Sequence, residues 1–381
     1  MKQGWKLHKL SELCSSSNGL WKGKKEPFIT VGVLRSTNFT KDCKLKLEDV
    51  AYIEVEEKSF SKRKLQKNDI VVERSGGGPN QPVGRVLLFD LEADNFSYCN
   101  FTSALRVIDQ SVVLPKYLYV FLSYFYLSGQ TVEMQSNTIG LRNLDYSKYL
   151  DIDIPVPSLS EQQRILDILD AEFAKIDALK ENAEKNLQNA KDLFQAVLRK
   201  ELEPKEGWDV STLKELLKLT SGDNLTAKSI ITGDYPVYGG NGIMGYHNRY
   251  NLDGLNVLVG RVGALCGNVR LIEGKIWFTD NCFLVHDKTG VFHLPYLAYA
   301  LQNANLRQYA TQAAQPVVSN ASMKDVQLSI PPTVKEQCKI VYMLDKIKEN
   351  SEVLQHNYDK TIILCNDLKQ ALLRKAFNGG L

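Results

Sequence analysis

The sequence predicts an α+β chain. Two mixed α/β modules are separated by a pair of long antiparallel coiled-coil helices, with an internal pseudo-twofold relating the halves. Three observations carry this. A block of about 40 residues after the first module recurs at the end of the chain, both copies carry an apolar stripe at helical spacing, and both modules open on the same short pattern. At 381 residues the chain exceeds one ordinary domain, for which ~150 residues is a fair prior.

The first module is expected over residues 1–155. It opens Gly4-Trp5-Lys6-Leu7-His8-Lys9-Leu10-Ser11-Glu12-Leu13, and its segments Asp69–Glu73 and Arg85–Phe89 read as short strands between Gly- and Asn-rich turns. A helix should follow Pro115, since proline is well placed in a first turn. The apolar stretch Val112–Leu127 is shorter than the ~20 residues that a bilayer span needs.

The first long helix is expected over 156–203. Ile165, Leu169, Phe173, Ile176, Leu179, Ala183, Leu187, Ala190, Phe194 and Val197 step by three or four, and no Gly or Pro interrupts 160–203. The second module, 204–332, opens Gly207-Trp208-Asp209-Val210-Ser211-Thr212-Leu213-Lys214-Glu215-Leu216. It offers strands at Asn256–Val259 and Asn268–Ile272 and a helix after Pro295. The second long helix, 333–381, repeats the stripe with Ile340, Leu344, Ile347, Leu354, Tyr358, Ile362, Cys365, Leu368 and Leu372.

Laid without gaps on Glu336–Ala376, Glu161–Glu201 matches at 15 of 41 positions. Chance would give roughly 2–3. A rod of ~40 residues, about 60 Å at 1.5 Å per residue, cannot bury its stripe alone, so the two should bury theirs on each other. Each module connects to one end of a helix, so the pair is expected antiparallel with a module at either end.

Chemistry concentrates in loops. The first module has Arg74-Ser75-Gly76-Gly77-Gly78-Pro79-Asn80-Gln81, then Gly84-Arg85. The second has Tyr238-Gly239-Gly240-Asn241-Gly242, then Tyr246-His247-Asn248-Arg249, Gly260-Arg261-Val262-Gly263 and Cys266-Gly267-Asn268. Glycines let backbone approach phosphates, Arg reads guanine edges, and Asn or Gln reads adenine. Tight turns between strands are the alternative use of the same residues. A further loop precedes each long helix, with Asn137 and Arg142 in the first module and Gln312 and Gln315 in the second.

The net charge of +3 permits a nucleic-acid partner without demanding one. By segment the count is +3, −3, +1 and +2, so the acidic first helix suits protein partners better than DNA. Catalysis has no candidate. Gly222–Ser229 fails the phosphate-loop pattern at its second glycine, the five histidines are scattered, and the seven cysteines form no C-x-x-C pair, so reduced thiols in a cytoplasm are expected. No signal peptide, membrane span or metal site is expected.

Ile154-Pro155-Val156-Pro157 with Glu161-Gln162-Gln163-Arg164-Ile165, repeated as Pro332, Glu336-Gln337 and Ile340, resembles the helical regions of type I restriction-modification specificity subunits. Tyr235–Ile243, Gly260–Gly263 and Cys266–Asn268 are similar to one version of that family's target-recognition domain. Asp69–Val71, Arg74–Gly76 and Val83–Arg85 resemble a second version. The resemblance implies double-stranded DNA with a bipartite target, two modification subunits and restriction subunits. S-adenosylmethionine, ATP and Mg would then sit on those partners and no cofactor in this chain. Two rivals stay open at this point: a self-contained methyltransferase-nuclease, and a coiled-coil scaffold binding proteins or glycans.

Overall fold

The computed structural model describes residues 4–21, 23–78, 81–138, 141–312 and 314–381. The chain divides into two compact units, residues 1–183 with 360–381, and residues 184–359. The division crosses both long helices, so each unit holds one module with the adjoining half of each helix.

Strand order, which the sequence leaves open, is the same in both modules. In the first, Lys6–Lys9 pairs with Asp153–Val156, closing the module next to the helix that follows. A four-stranded antiparallel sheet runs Cys14–Asn18, Thr102–Val107, Asp69–Glu73, Val86–Phe89. A second sheet runs Ala51–Glu56, Phe28–Leu34, Phe96–Tyr98, its last pair parallel. In the second module Asp209–Thr212 pairs with Gln327–Ile330. Its four-stranded sheet runs Leu217–Ser221, Cys282–Asp287, Asn256–Gly260, Val269–Ile272. Its second sheet runs Gly242–His247, Thr232–Gly239, Trp277–Phe278, again with a parallel last pair. The first module adds one small sheet, described below.

The helices expected after the prolines are Pro115–Leu127 and Leu294–Asn303, and each packs between its sheet and the long helices. Tyr117, Leu118, Ile165, Leu166, Leu169, Leu373 and Phe377 share one core. Tyr296, Leu297, Leu198, Leu202, Ile340 and Leu344 share the other. Fully burying such a side chain contributes about 1.5–3 kcal/mol, so the long helices are integral to each module's core.

The Glu-Gln pair that reveals the repeat has a structural task in both copies. Gln162 is fully buried, accepts from the Leu114 amide (2.8 Å) and donates to the carbonyls of Val112 (2.9 Å) and Pro157 (2.9 Å). Gln337 accepts from the His293 amide (2.7 Å) and donates to Val291 (2.9 Å). Each glutamine thus satisfies backbone groups at the entry of the module helix that no helical bond reaches. Tyr117 and Tyr296 repeat the same logic, donating to the Pro155 and Ser329 carbonyls, both at 2.8 Å.

The long helices span Leu159–Glu201 and Val334–Phe377. In the first unit Arg164 donates to the Leu381 carbonyl (2.7 Å), Asp177 pairs with Lys369, and Lys180 donates to Asn366 (3.2 Å), so the two run antiparallel. In the second, Ser351 Oγ donates to the Ala190 carbonyl at 2.6 Å. Ile165, Leu169, Ile176, Ile340 and Leu344 are buried, while Leu187, Ile362 and Leu372 are half-buried. Leu179, Leu354 and Leu368 are corrections: all three were expected in the packed stripe and stand 53%, 39% and 49% exposed. Small side chains occupy the contact instead, namely Ala183, Ala190, Ser351 and Cys365, all buried. The three exposed leucines lie outside this small-residue contact.

Candidate nucleic-acid interface

Several of the loops singled out in the sequence meet at one corner of each module, while Tyr246–Arg249 lies at the other end of its hairpin strand, beside Ile231. At that corner the two modules share the same set of backbone bonds. Arg74 follows the strand Asp69–Glu73, and Arg261 follows the strand Asn256–Gly260. The Arg74 amide donates to the Phe101 carbonyl (2.9 Å) and that of Arg261 to Asn281 (2.8 Å). Their own carbonyls accept from Leu144 (2.8 Å) and Val318 (2.9 Å), which lie in the loops ahead of the long helices. One residue on, Ser75 pairs with Asn143 and Val262 with Val317. Each arginine therefore ties the two candidate loops of its module together.

The guanidinium groups are matched as well. Arg74 donates to Asn18 Oδ1 (2.7 Å) and Ser103 Oγ (3.3 Å) and lies over the Tyr146 ring, 4.4 Å from its centre. Burial pushes the Tyr146 hydroxyl above its ordinary pKa, which keeps that ring neutral. Arg261 donates to Ser221 Oγ (3.4 Å) and the Asp280 carbonyl (3.3 Å) and lies 5.4 Å from the Phe283 ring centre. Asn18 and Ser221 both end the first strand of their sheets. Both arginines are half-buried, with a planar, charged fork held by stacking and hydrogen bonds.

Around Arg74 the first module builds a three-stranded sheet, Gln135–Thr138, Leu141–Leu144 and Ser75–Gly76. Ser75 Oγ donates to Asn143 Oδ1 at 2.6 Å, and Arg142 is half-buried with Gln135 Oε1 at 3.5 Å. Asn80 and the side chain of Asn137 lie outside the described residues.

In the second module the corner opens into a cavity of about 290 Å³, lined by Gly239–Met244, Val262, Gly263, Asn281 and Gln315. Two glycines explain the Gly-rich spelling here. A Cβ on Gly240 would sit 2.1 Å from the Val262 carbonyl, and Gly263 has φ +101° with a Cβ position 3.0 Å from Asn241 Oδ1. Asn241 is exposed and accepts from the Leu265 amide (3.0 Å), bracing the loop. Gln312, Gln315, Arg249 and Asn268 are exposed, and Tyr246 stands 52% exposed on the hairpin strand Gly242–His247. Tyr238 instead leans into the small core under its sheet, half-buried beside Leu258 and Phe278.

Arg85 is a correction. It was expected at a base edge, and it is buried at 5% exposure. Its fork binds Glu73 through Nε (2.8 Å) and Nη2 (2.7 Å), and it donates to the carbonyls of Phe39 (2.6 Å) and Ser36 (3.1 Å). Gln81, with its amide oxygen turned inward, accepts at 2.7 Å and completes the set. Burial opposes the charge, and the Glu73 carboxylate overcomes it, so the guanidinium pKa lies above its usual value. With its donors committed, Arg85 has none to offer a base, and Gln81 serves the same cluster. In the second module Gly260 and Asn268 take the positions of Glu73 and Arg85, with the same backbone bonds between them (2.8 Å in each module) and no ion pair. A strand ending in glutamate ahead of Gly84-Arg85 was the available signal for this pairing.

Among the described residues no cluster of three His, Cys, Asp or Glu could hold a metal, and no helix is long and apolar enough to cross a membrane.

Residues 2–189 and 205–361 match the family model described as type I restriction modification DNA specificity domain. The chain is 32% identical over 206 residues to the type I restriction enzyme EcoprrI specificity subunit of Escherichia coli, covering 51% of this chain and 50% of that protein. It is 24% identical over 360 residues to the StySPI specificity subunit of Salmonella potsdam, covering 84% and 76%. The fold resembles a chain solved in work on complex assembly and conformational transition of the type I R-M system, at TM-score 0.82 and 16% identity over 100% and 99% of the two chains. It also resembles the HsdS subunit from Thermoanaerobacter tengcongensis, at TM-score 0.61 and 16% identity over 100% and 98%.

Proposed function

The chain belongs to the type I restriction-modification DNA specificity family, and from that premise we propose that it is the non-catalytic specificity subunit of a methylating and cleaving complex. Each module reads one half of a bipartite double-stranded DNA target, and the long helices set the separation of the halves. Modification subunits dock on those helices and carry S-adenosylmethionine, and restriction subunits carry ATP and Mg. The observation that carries this reading is the equivalence of the two corners. The same arginine ties the same two loops in each module, while the loop residues around it differ, as two readers of different half-sites require.

The reading assigns base and phosphate contacts to the exposed or partly exposed loop residues Asn241, Tyr246, Arg249, Asn268, Gln312 and Gln315 in the second module. Arg142, Asn137 and Asn80 have the same part in the first. Arg74 and Arg261 stand at the root of each surface. Arg85, Gln81 and Tyr238 hold the loops from within. Exposed leucines on the long helices, Leu179 and Leu193 on the first and Leu354, Leu364 and Leu368 on the second, support docking of protein partners there. The self-contained enzyme and the protein- or glycan-binding scaffold draw no support from the relatives, which are specificity subunits.

The test is an exchange. Residues 1–155 are replaced by the first module of another family member, the chain is co-expressed with its methyltransferase partner, and adenine methylation is mapped across the genome. One half of the motif is expected to change while the other stays. Changes in both halves, or in neither, would count against the assignment.

A further inference from the structure

The two modules differ at one place beside the long helices. In the first, the segment around Cys43 lies over the strand Val86–Phe89. Cys43 is fully buried in the core with Val86, and Leu45 packs with Leu87 and Phe89. Tyr119 on the module helix donates to the Cys43 carbonyl at 2.7 Å, and Lys44 reaches Asp177 of the long helix at 3.7 Å. The segment thus fills the angle between edge strand, module helix and long helix.

The second module is shorter between its opening Trp and its Glu-Gln pair and, among the described residues, has no such segment, since its corresponding strands Thr232–Gly239 and Gly242–His247 are joined directly by Gly240 and Asn241. The same angle is an open cleft of about 730 Å³ between the edge strand Val269–Ile272, the helix Leu294–Asn303 and the long helix at Val341, Asp345 and Lys348. The bonds of Gln162 and Gln337 and the sheet registers fix the correspondence. Tyr119, which holds the covering segment, becomes Ala298. Leu87, Leu114, Ser123 and Phe173 become Arg270, His293, Gln302 and Lys348. Three apolar side chains of the wall have thus given way to Arg270, His293 and Lys348, two of them cationic. Its one carboxylate, Asp345, is already engaged by the Tyr299 hydroxyl at 2.6 Å. Arg270 Nη1 and His293 Nδ1 are buried without a hydrogen-bond partner among the described residues. Arg270 Nη2 donates to the Gly240 carbonyl at 3.4 Å, which holds the guanidinium at the wall with its other terminal nitrogen unpaired, and an unpaired buried polar atom is costly.

We propose that this cleft receives an extended, acidic or carbonyl-rich peptide segment of the modification subunit, laid over Val269–Ile272 as the Cys43 segment is laid over Val86–Phe89. The proposal rests on the functional reading above. The internal repeat supplies the template for a peptide occupant, and the cationic wall sets its charge. An edge strand left open invites such a partner.

The test uses the full chain with its co-expressed modification subunit, without DNA. Amide hydrogen exchange over 269–272 is expected to slow about tenfold or more on assembly, with 86–89 unchanged. Two variants, Arg270→Leu and Ala298→Tyr, restore first-module residues in the wall and are expected to weaken assembly about tenfold while leaving the fold intact by circular dichroism. Assembly with unchanged exchange over 269–272 and wild-type affinity in both variants would overturn the proposal and leave the functional reading standing. Failure to assemble at all would overturn both. Protection already present in the free chain and lost on dialysis would identify a small ligand and also overturn it.

Discussion

Glu73→Ala unfolds the first module's recognition corner and leaves the second intact. The substitution strips the buried Arg85 guanidinium of its only carboxylate partner among the described residues, while Ser36, Phe39 and Gln81 supply neutral oxygens. Removing one member of a buried pair costs about 3–5 kcal/mol, because the other charge stays desolvated and unpaired. That is a large fraction of a domain's stability. The loss should appear as an early step in thermal unfolding and as fast amide exchange over 36–39 and 69–73. The paired change Glu73→Leu with Arg85→Met removes both charges at near-constant volume and should recover most of the loss. Equal unfolding of Glu73→Ala and the wild type would show that the pair is dispensable.

Arg74→Ala and Arg261→Ala should damage DNA binding to similar extents, since the two side chains occupy equivalent corners. Each loses a positive fork beside the loops assigned to the DNA, together with its stacking on Tyr146 or Phe283. A loss of about 1–3 kcal/mol, roughly 5–150-fold in affinity, is expected for each in the assembled complex at fixed salt. Lysine at either position should restore little, because an ammonium neither stacks nor presents two parallel donors. Backbone bonds from Leu144 and Val318 remain in the alanine variants, so the loops should keep their places. Wild-type affinity in both variants would remove the arginines from the interface.

Much of this was legible in the sequence, for physical reasons. The long helices announced themselves because a stripe at 3.6-residue spacing survives in both copies, and Gln162 and Gln337 recur because each satisfies backbone groups at a helix entry. Arg74-Ser75-Gly76 and Arg261-Val262-Gly263 stood out because a corner that brings two loops together needs glycine beside its arginine. The strand order was not legible, since pairing depends on contacts between segments distant in sequence. Arg85 misled because Gly-Arg beside a loop has the same spelling whether its fork faces solvent or a buried glutamate. Leu179 and Leu354 misled because periodicity locates a helix face without saying how close the partner backbone comes. Ala190 and Ser351, two small residues in contact, settle that distance.

Genome-wide mapping of methylated adenine in cells that carry this unaltered chain with its methyltransferase partner tests the two-reader account most directly. The account predicts one motif made of two short specified blocks separated by a fixed unspecified gap, absent when the chain is deleted. A single contiguous motif, or methylation that persists without the chain, would contradict it.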